Sequence, residues 1–181
     1  RLIEVLTTLR APDGKILIDG FYDDAKPQSE LDLKYIDGAT DSEPWLREKY
    51  RVREFVGGMT GKDIERAVFN PTCNIQGIMS GYQGEGGKTV IPARASVKID
   101  FRLVPDQDPD KIFEKLLAHL KAKNLADVIA VKSKGRMWPY KASPDNPLVR
   151  LTTQTGEEVY GKRALIRPMN GGSSPVYAFA K

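Results

Sequence analysis

Lys88-Thr89-Val90-Ile91-Pro92-Ala93-Arg94-Ala95-Ser96-Val97-Lys98-Ile99-Asp100-Phe101-Arg102-Leu103-Val104-Pro105 is the stretch on which the fold turns. From Ser96 it alternates. Val97, Ile99, Phe101 and Leu103 share one face, and Ser96, Lys98, Asp100 and Arg102 share the other. A strict period of two predicts a strand with one buried face. Arg102 then projects from the polar face of a rigid element, while Thr89 opens the extended run. A guanidinium held this way can grip a carboxylate or phosphate through two parallel N–H donors. The plainer alternative is an ordinary strand charge, solvated or paired with an acid across the sheet.

Outward from this strand the pattern stays legible. Thr72 to Ser80 reads as a second strand, joined to the first by a glycine-rich loop from Gly81 to Gly87. Downstream, Asp108 suits a helix N-cap, Pro109 the first helical position and Asp110 the positive helix end. Ile112, Phe113, Leu116, Leu117 and Leu120 give that helix an apolar stripe. Asp127 to Ser133 reads as a further strand. Upstream, Leu2, Ile3, Leu6 and Leu9 carry helical spacing, stopped by Pro12-Asp13-Gly14. Lys15 to Asp19 is a short strand candidate, and residues 20–40, rich in Asp, Gly, Pro and Lys, read as loop. Ser42 and Pro44 start a short helix, and Ile64 to Phe69 adds a helical turn. The order helix, strand, strand, helix, strand predicts an α+β fold. It is a two-layer sandwich, an incomplete ferredoxin-like antiparallel sheet with helices on one face.

After Gly135 the character changes. Trp138-Pro139-Tyr140 leads into a polar linker. Asn146 and Pro147 cap a helix with Leu148, Leu151, Thr155 and Val159 directed inward, closed by Gly161. Ala164 to Pro168 is extended, and Asn170-Gly171-Gly172-Ser173-Ser174-Pro175 leads into a new helix that runs to Lys181. The expected division is residues 1–140 as one domain and 141–181 as an α/β piece of another. Both ends look cut, so the chain reads as an internal piece of a longer protein.

Bulk properties exclude more than they assign. The chain has 181 residues, 40% hydrophobic and 29% charged, which is ordinary for a globular protein with a real core. A net charge of +4, with both signs interspersed, gives no basis for nucleic-acid binding. No apolar run reaches membrane-span length and no signal peptide is visible. The single cysteine, Cys73, excludes an internal disulfide and fits a reducing, cytoplasmic compartment.

The local motifs are mostly plain. Gly81-Tyr82-Gln83-Gly84-Glu85-Gly86-Gly87-Lys88-Thr89 fails as a phosphate loop, because Tyr82 replaces a required glycine and a Pro-containing strand follows instead of a helix. His119 is the sole histidine. It lies beside the Leu116 and Leu120 stripe and reads as a helix-boundary residue, not a metal ligand. Glu157 and Glu158 point about 100° apart on their helix and read as solvated. Neither Cys73 nor Ser173 has a candidate base, so the chain offers no catalytic residue. Ser174 suits a helix cap ahead of Pro175, and the glycines before it would let a ligand approach backbone N–H groups. A plain glycine-containing cap accounts for the same residues.

Pro71-Thr72-Cys73-Asn74-Ile75-Gln76-Gly77-Ile78, Thr89-Val90-Ile91-Pro92 and Asp100-Phe101-Arg102-Leu103-Val104-Pro105 occur in one order. Together they resemble the lid or dimerisation domain of the di-zinc exopeptidases. That family includes dipeptidases, carnosinase, aminoacylase and succinyl-diaminopimelate desuccinylase, and the dipeptidase and carnosinase branch is the most similar. Pro12-Asp13-Gly14-Lys15-Ile16-Leu17, Gly20-Phe21-Tyr22-Asp23-Asp24 and the late Gly-Ser-Ser-Pro turn extend the resemblance over nearly the whole chain. It implies a hydrolase of dipeptides or N-acyl amino acids, with zinc (or manganese or cobalt) in the full-length parent and a homodimer formed through the lid. It implies that Arg102 grips the substrate's terminal carboxylate and that Thr89 reaches a neighbouring subunit's active site. It also implies that Gly172 and Ser173 form the substrate-binding turn, although the residues around that turn depart from the usual pattern. The His-x-Asp metal motif, the catalytic Glu-Glu pair and the lid histidine are missing from this sequence. The chain as given is therefore expected to hold no metal and to be inactive. The competing reading is a stand-alone ferredoxin-like module for protein association or small-ligand binding.

Overall fold

The computed structural model describes residues 1–39 and 41–180. Lys181, where the expected final helix ends, lies outside them. The described residues form α1 (Leu2–Leu9), α2 (Glu30–Asp37), α3 (Glu43–Tyr50), α4 (Lys62–Ala67), β1 (Thr72–Ser80), β2 (Ala95–Arg102), α5 (Pro109–Ala122) and α6 (Pro147–Tyr160). Short 3₁₀ turns occupy Val56–Gly58 and Pro175–Phe179. The fold is α+β, with one antiparallel sheet of two strands among the described residues. The chain divides into two compact units, one built from Arg1–Asp24, Pro71–Leu103 and Asp108–Arg136 and the other from the remainder.

In the first unit the hairpin carries the organisation. β1 and β2 pair from Thr72↔Arg102 to Ser80↔Ala95, with a register shift between Ile75 and Gly77. Gln76 is the surplus residue of this bulge. It lets Ile78, instead of Gly77, fall opposite Val97 on the apolar face. Cys73, Ile99 and Phe101 on that face join Val5 and Leu9 of α1, Ile112 and Leu120 of α5, and Ile16, Ile18, Phe21 and Leu125 in one core. Helices and sheet therefore make two layers. Phe21 is 1% exposed and packs against Phe101 at 5.4 Å between ring centres, a burial worth roughly 1.5–3 kcal/mol.

α5 begins as its residues dictate. The Asp108 carboxylate accepts the Asp110 N–H at 2.7 Å, and Pro109 opens the helix. Lys115 on the same helix donates to the Gly20 carbonyl at 2.5 Å and pairs with Asp23 at 3.2 Å, which pins the 20–24 turn.

Four expectations need correction. The supposed loop of residues 20–40 contains α2, started by a reciprocal capping box between Ser29 and Asp32. Lys15 to Asp19 supplies one bridge, Arg10↔Ile16, and no strand. Residues 127–133 carry no ladder among the described residues, and Ile129 and Val131 lie 88% and 85% exposed with nothing packed on them. α6 has the expected span, the Asn146 cap and a left-handed Gly161, but Leu148, Leu151, Thr155 and Val159 are all exposed.

The second unit is held by charge as well as apolar contact. Asp32, almost fully buried, forms an ion pair with Lys141 at 2.7 Å. Glu43 accepts from the Gly61 N–H at 2.5 Å and from Arg47 at 2.7 Å, which clips the 51–61 segment to α3.

Candidate functional site

Arg102 ends β2 on the polar face of the hairpin. Its Nε–H donates to Asp100 Oδ2 at 2.6 Å, and both side chains are partly open to solvent. Period two puts Asp100 and Arg102 on one side of the strand. The pairing puts Thr72 opposite Arg102 and Asn74 opposite Asp100, and Asn74 donates to the Thr72 hydroxyl at 3.0 Å. Four polar residues thus cover the end of one sheet face, and the core lies on the other. The acid beside Arg102 comes from its own strand, not from across the sheet. That partner was legible in the alternation itself, which already placed Asp100 next to Arg102.

Thr89 lies in the exposed connection between the strands. The Val90 N–H donates to the Lys88 carbonyl at 2.9 Å, so Thr89 forms the apex of a three-residue turn. Gly81 and Gly86 in this connection adopt positive φ, as a hairpin loop requires. Arg102 and Thr89 sit at opposite ends of the hairpin. The Ala95–Arg102 strand alone spans on the order of 23 Å at about 3.3 Å per residue.

Gly172 and Ser173 belong to the second unit and are exposed. The Gly172 N–H donates to Asn170 Oδ1 at 3.0 Å, which shapes the turn. Ser174 precedes the 3₁₀ turn in an extended conformation, and its side chain makes no cap hydrogen bond, contrary to expectation. A cleft of about 610 Å³, bordered by Lys34, Tyr35, Glu157 and Arg163, contains none of the four candidate residues.

Four other titratable groups, His119, Cys73, Glu157 and Asp32, have well-defined surroundings. His119 is buried, not at a boundary, and neither ring nitrogen has a hydrogen-bond partner. Burial pushes it below the ordinary histidine value, and Lys123 adds to the effect. Burial pushes the Cys73 thiol up, away from the thiolate a nucleophile needs. Glu157 accepts the Ala164 N–H at 2.8 Å and is therefore part of the chain path after α6. Burial raises Asp32, but donors from Lys141 and Ser29 outweigh it and hold the carboxyl below its usual range. Sequence reading missed this buried pair, because a loop reading of residues 20–40 leaves Asp32 in water. Among the described residues no group of three or more His, Cys, Asp or Glu side chains is placed to hold a metal ion. No helix among them is long and apolar enough to cross a membrane.

Residues 1–128 match the peptidase dimerisation domain of the M20 family, and the chain belongs to that family. It is similar to the Cys-Gly metallodipeptidase of Schizosaccharomyces pombe, 28% identical over 97% of this chain and 37% of that protein. Its fold matches an M20 family metallo-carboxypeptidase from Sulfolobus solfataricus with a TM-score of 0.91 at 32% identity, covering 99% of this chain and 40% of the other. A di-peptidase from Saccharomyces cerevisiae matches with a TM-score of 0.80 at 26% identity, over 97% of this chain and 37% of the other. The chain thus spans well under half the length of these relatives. Membership of this family sets aside the stand-alone module.

Proposed function

We propose that this chain is the lid and dimerisation part, residues 1–140, with residues 141–181 returning toward the catalytic domain, of a metal-dependent dipeptidase, carboxypeptidase or deacylase. The family match over residues 1–128 carries the reading. Among the described residues no cluster of His, Cys, Asp or Glu is placed to hold a metal ion. The metal, zinc or else manganese or cobalt, is held by ligands supplied outside this chain. The chain's own contribution is recognition and pairing.

Arg102 holds the substrate's terminal carboxylate through charge-assisted hydrogen bonds. Gly172 and Ser173 line the substrate-binding turn, and Thr89 reaches the active site of the partner subunit. Hairpin length supports this division of labour. A dipeptide is at most about 7 Å long, so Arg102 and Thr89 of one chain serve different substrate molecules. Pairing of two lids in a homodimer lets each active site draw on both chains.

The test is Arg102→Lys in the full-length enzyme. Lysine keeps the charge and loses the fork. The loss in kcat/KM should reach roughly 2–5 kcal/mol for substrates with a free carboxylate. It should be much smaller for the corresponding C-terminal amides, and the melting temperature should barely move. Equal losses on acids and amides would make Arg102 a structural strand charge.

A further inference from the structure

We infer that the Thr72 hydroxyl is a second donor to the substrate's terminal carboxylate, and that Asn74 orients it. The inference rests on the proposed role of Arg102 as the carboxylate grip. In the hairpin register Thr72 lies opposite Arg102, and Asn74 lies opposite Asp100. Opposed residues of an antiparallel pair project from one face, with Cβ atoms about 4.5–5.5 Å apart. The Arg102 Nε–H donates to Asp100 Oδ2 at 2.6 Å, which draws the guanidinium back along β2 toward the residue opposite Asn74. Thr72 and the guanidinium therefore border one patch of the polar face, and a single carboxylate can meet both.

A carboxylate has about four lone-pair directions on its two oxygens, and an arginine answers at most two of them. The others need donors wherever water is excluded. Thr72 can supply one. Asn74 Nδ2–H donates to Thr72 Oγ1 at 3.0 Å. A hydroxyl that accepts in this way keeps its own hydrogen to donate, and the bond turns that hydrogen away from Asn74. The backbone beneath is fixed, because Pro71 and Cys73 on either side of Thr72 are both buried. A β-branched side chain is also stiff at χ1. The hydroxyl is thus set before substrate arrives, and little freedom is lost on binding. A donor of this kind favours an ionised acceptor over a neutral one, so it adds to the preference for a free C-terminal acid over an amide.

The experiment uses the full-length, metal-loaded enzyme with dipeptides carrying a free carboxylate and with their C-terminal amides. Thr72→Val keeps the shape and removes the hydroxyl, whereas Thr72→Ser keeps the hydroxyl. For Thr72→Val, kcat/KM on the acids should fall about tenfold, mainly through KM, as for the loss of one hydrogen bond to a charged group. On the amides the fall should be less than about threefold, because the bond there is neutral. The melting temperature should hold, since valine suits a strand. Thr72→Ser should stay within about threefold of the native enzyme on acids. Asn74→Ala should cost about threefold on acids and nothing further when placed on Thr72→Val, because it acts only through the hydroxyl. A further loss there would overturn the orienting role of Asn74. If Arg102→Lys is selective for acids and Thr72→Val is not, the Thr72 contact is overturned and the grip stands. If Thr72→Ser loses as much as Thr72→Val, the methyl group matters and not the hydroxyl, and the contact is likewise overturned. If Arg102→Lys shows no selectivity for acids, both readings fail together.

Discussion

His119 has no hydrogen-bond partner at either ring nitrogen, so its environment favours the neutral ring. Burial and then Lys123 oppose protonation and outweigh Asp19 and the Thr8 backbone, which favour it. The folded value therefore lies below the unfolded one of about 6.5. The stability that depends on a neutral ring is complete above pH 6.5. It is lost as pH falls toward the folded value, because the unfolded chain takes up the proton first. Thermal melting between pH 7.5 and 5 should show this loss, at up to about 1.4 kcal/mol per pH unit. His119→Leu should flatten the profile, and an unchanged slope would exclude the histidine as its source. The Asp32–Lys141 pair gives a second prediction. Lys141→Met strands a buried carboxylate and should cost about 3 kcal/mol in denaturant unfolding, although the Ser29 donors remain. The double change Asp32→Asn with Lys141→Met should recover most of that loss. The sequence makes Arg102 and its face legible, since alternation is local. It misplaces His119, because the stripe of α5 sets a direction and the depth of burial depends on what packs over it.

At the scale of elements, legibility follows how many local signals coincide. Asp108, Pro109 and Asp110 all favour the start of α5, and the helix starts there. Asp108→Ala removes the cap and should lower stability by about 1 kcal/mol. Asp108→Asn should retain most of it in the same melting experiment, and equal losses would mean that the cap bond contributes little. α2 escapes notice for the opposite reasons. Its capping box closes with Asp32 where Glu or Gln is the familiar signature. It buries only Asp32 and Ile36, so no apolar stripe announces it. Residues 127–133 fail differently. Their alternation is strand-like, but a strand exists only by pairing, and no neighbouring ladder is offered among the described residues.

For the whole molecule, exposed apolar residues are the guide to association. Ile78, Met79, Ile91, Ile129 and Val131 in one unit and Leu148, Leu151 and Val159 in the other are mostly open, and large apolar side chains left open are where association is sought. As a member of a dimerisation-domain family, the chain should associate into a symmetric pair. Sedimentation velocity over a concentration series should show the dimer, and a strictly monomeric species at high concentration would count against it. The stripe of α6 is legible in sequence, yet its inward reading fails among the described residues, where Leu148, Leu151 and Val159 face solvent. The bulge at Gln76 carries a consequence for how such a hairpin can change over time. Cys73 and Ile78 share a face although five positions separate them, an odd number that only the surplus residue reconciles. A strand of this kind counts in pairs. One residue added to each strand turns over every side chain beyond it, whereas two added to each strand move the Thr89 tip outward by about 7 Å with both faces intact. Reach and parity are thus linked: insertions here should be even, or odd with a new bulge to absorb the remainder.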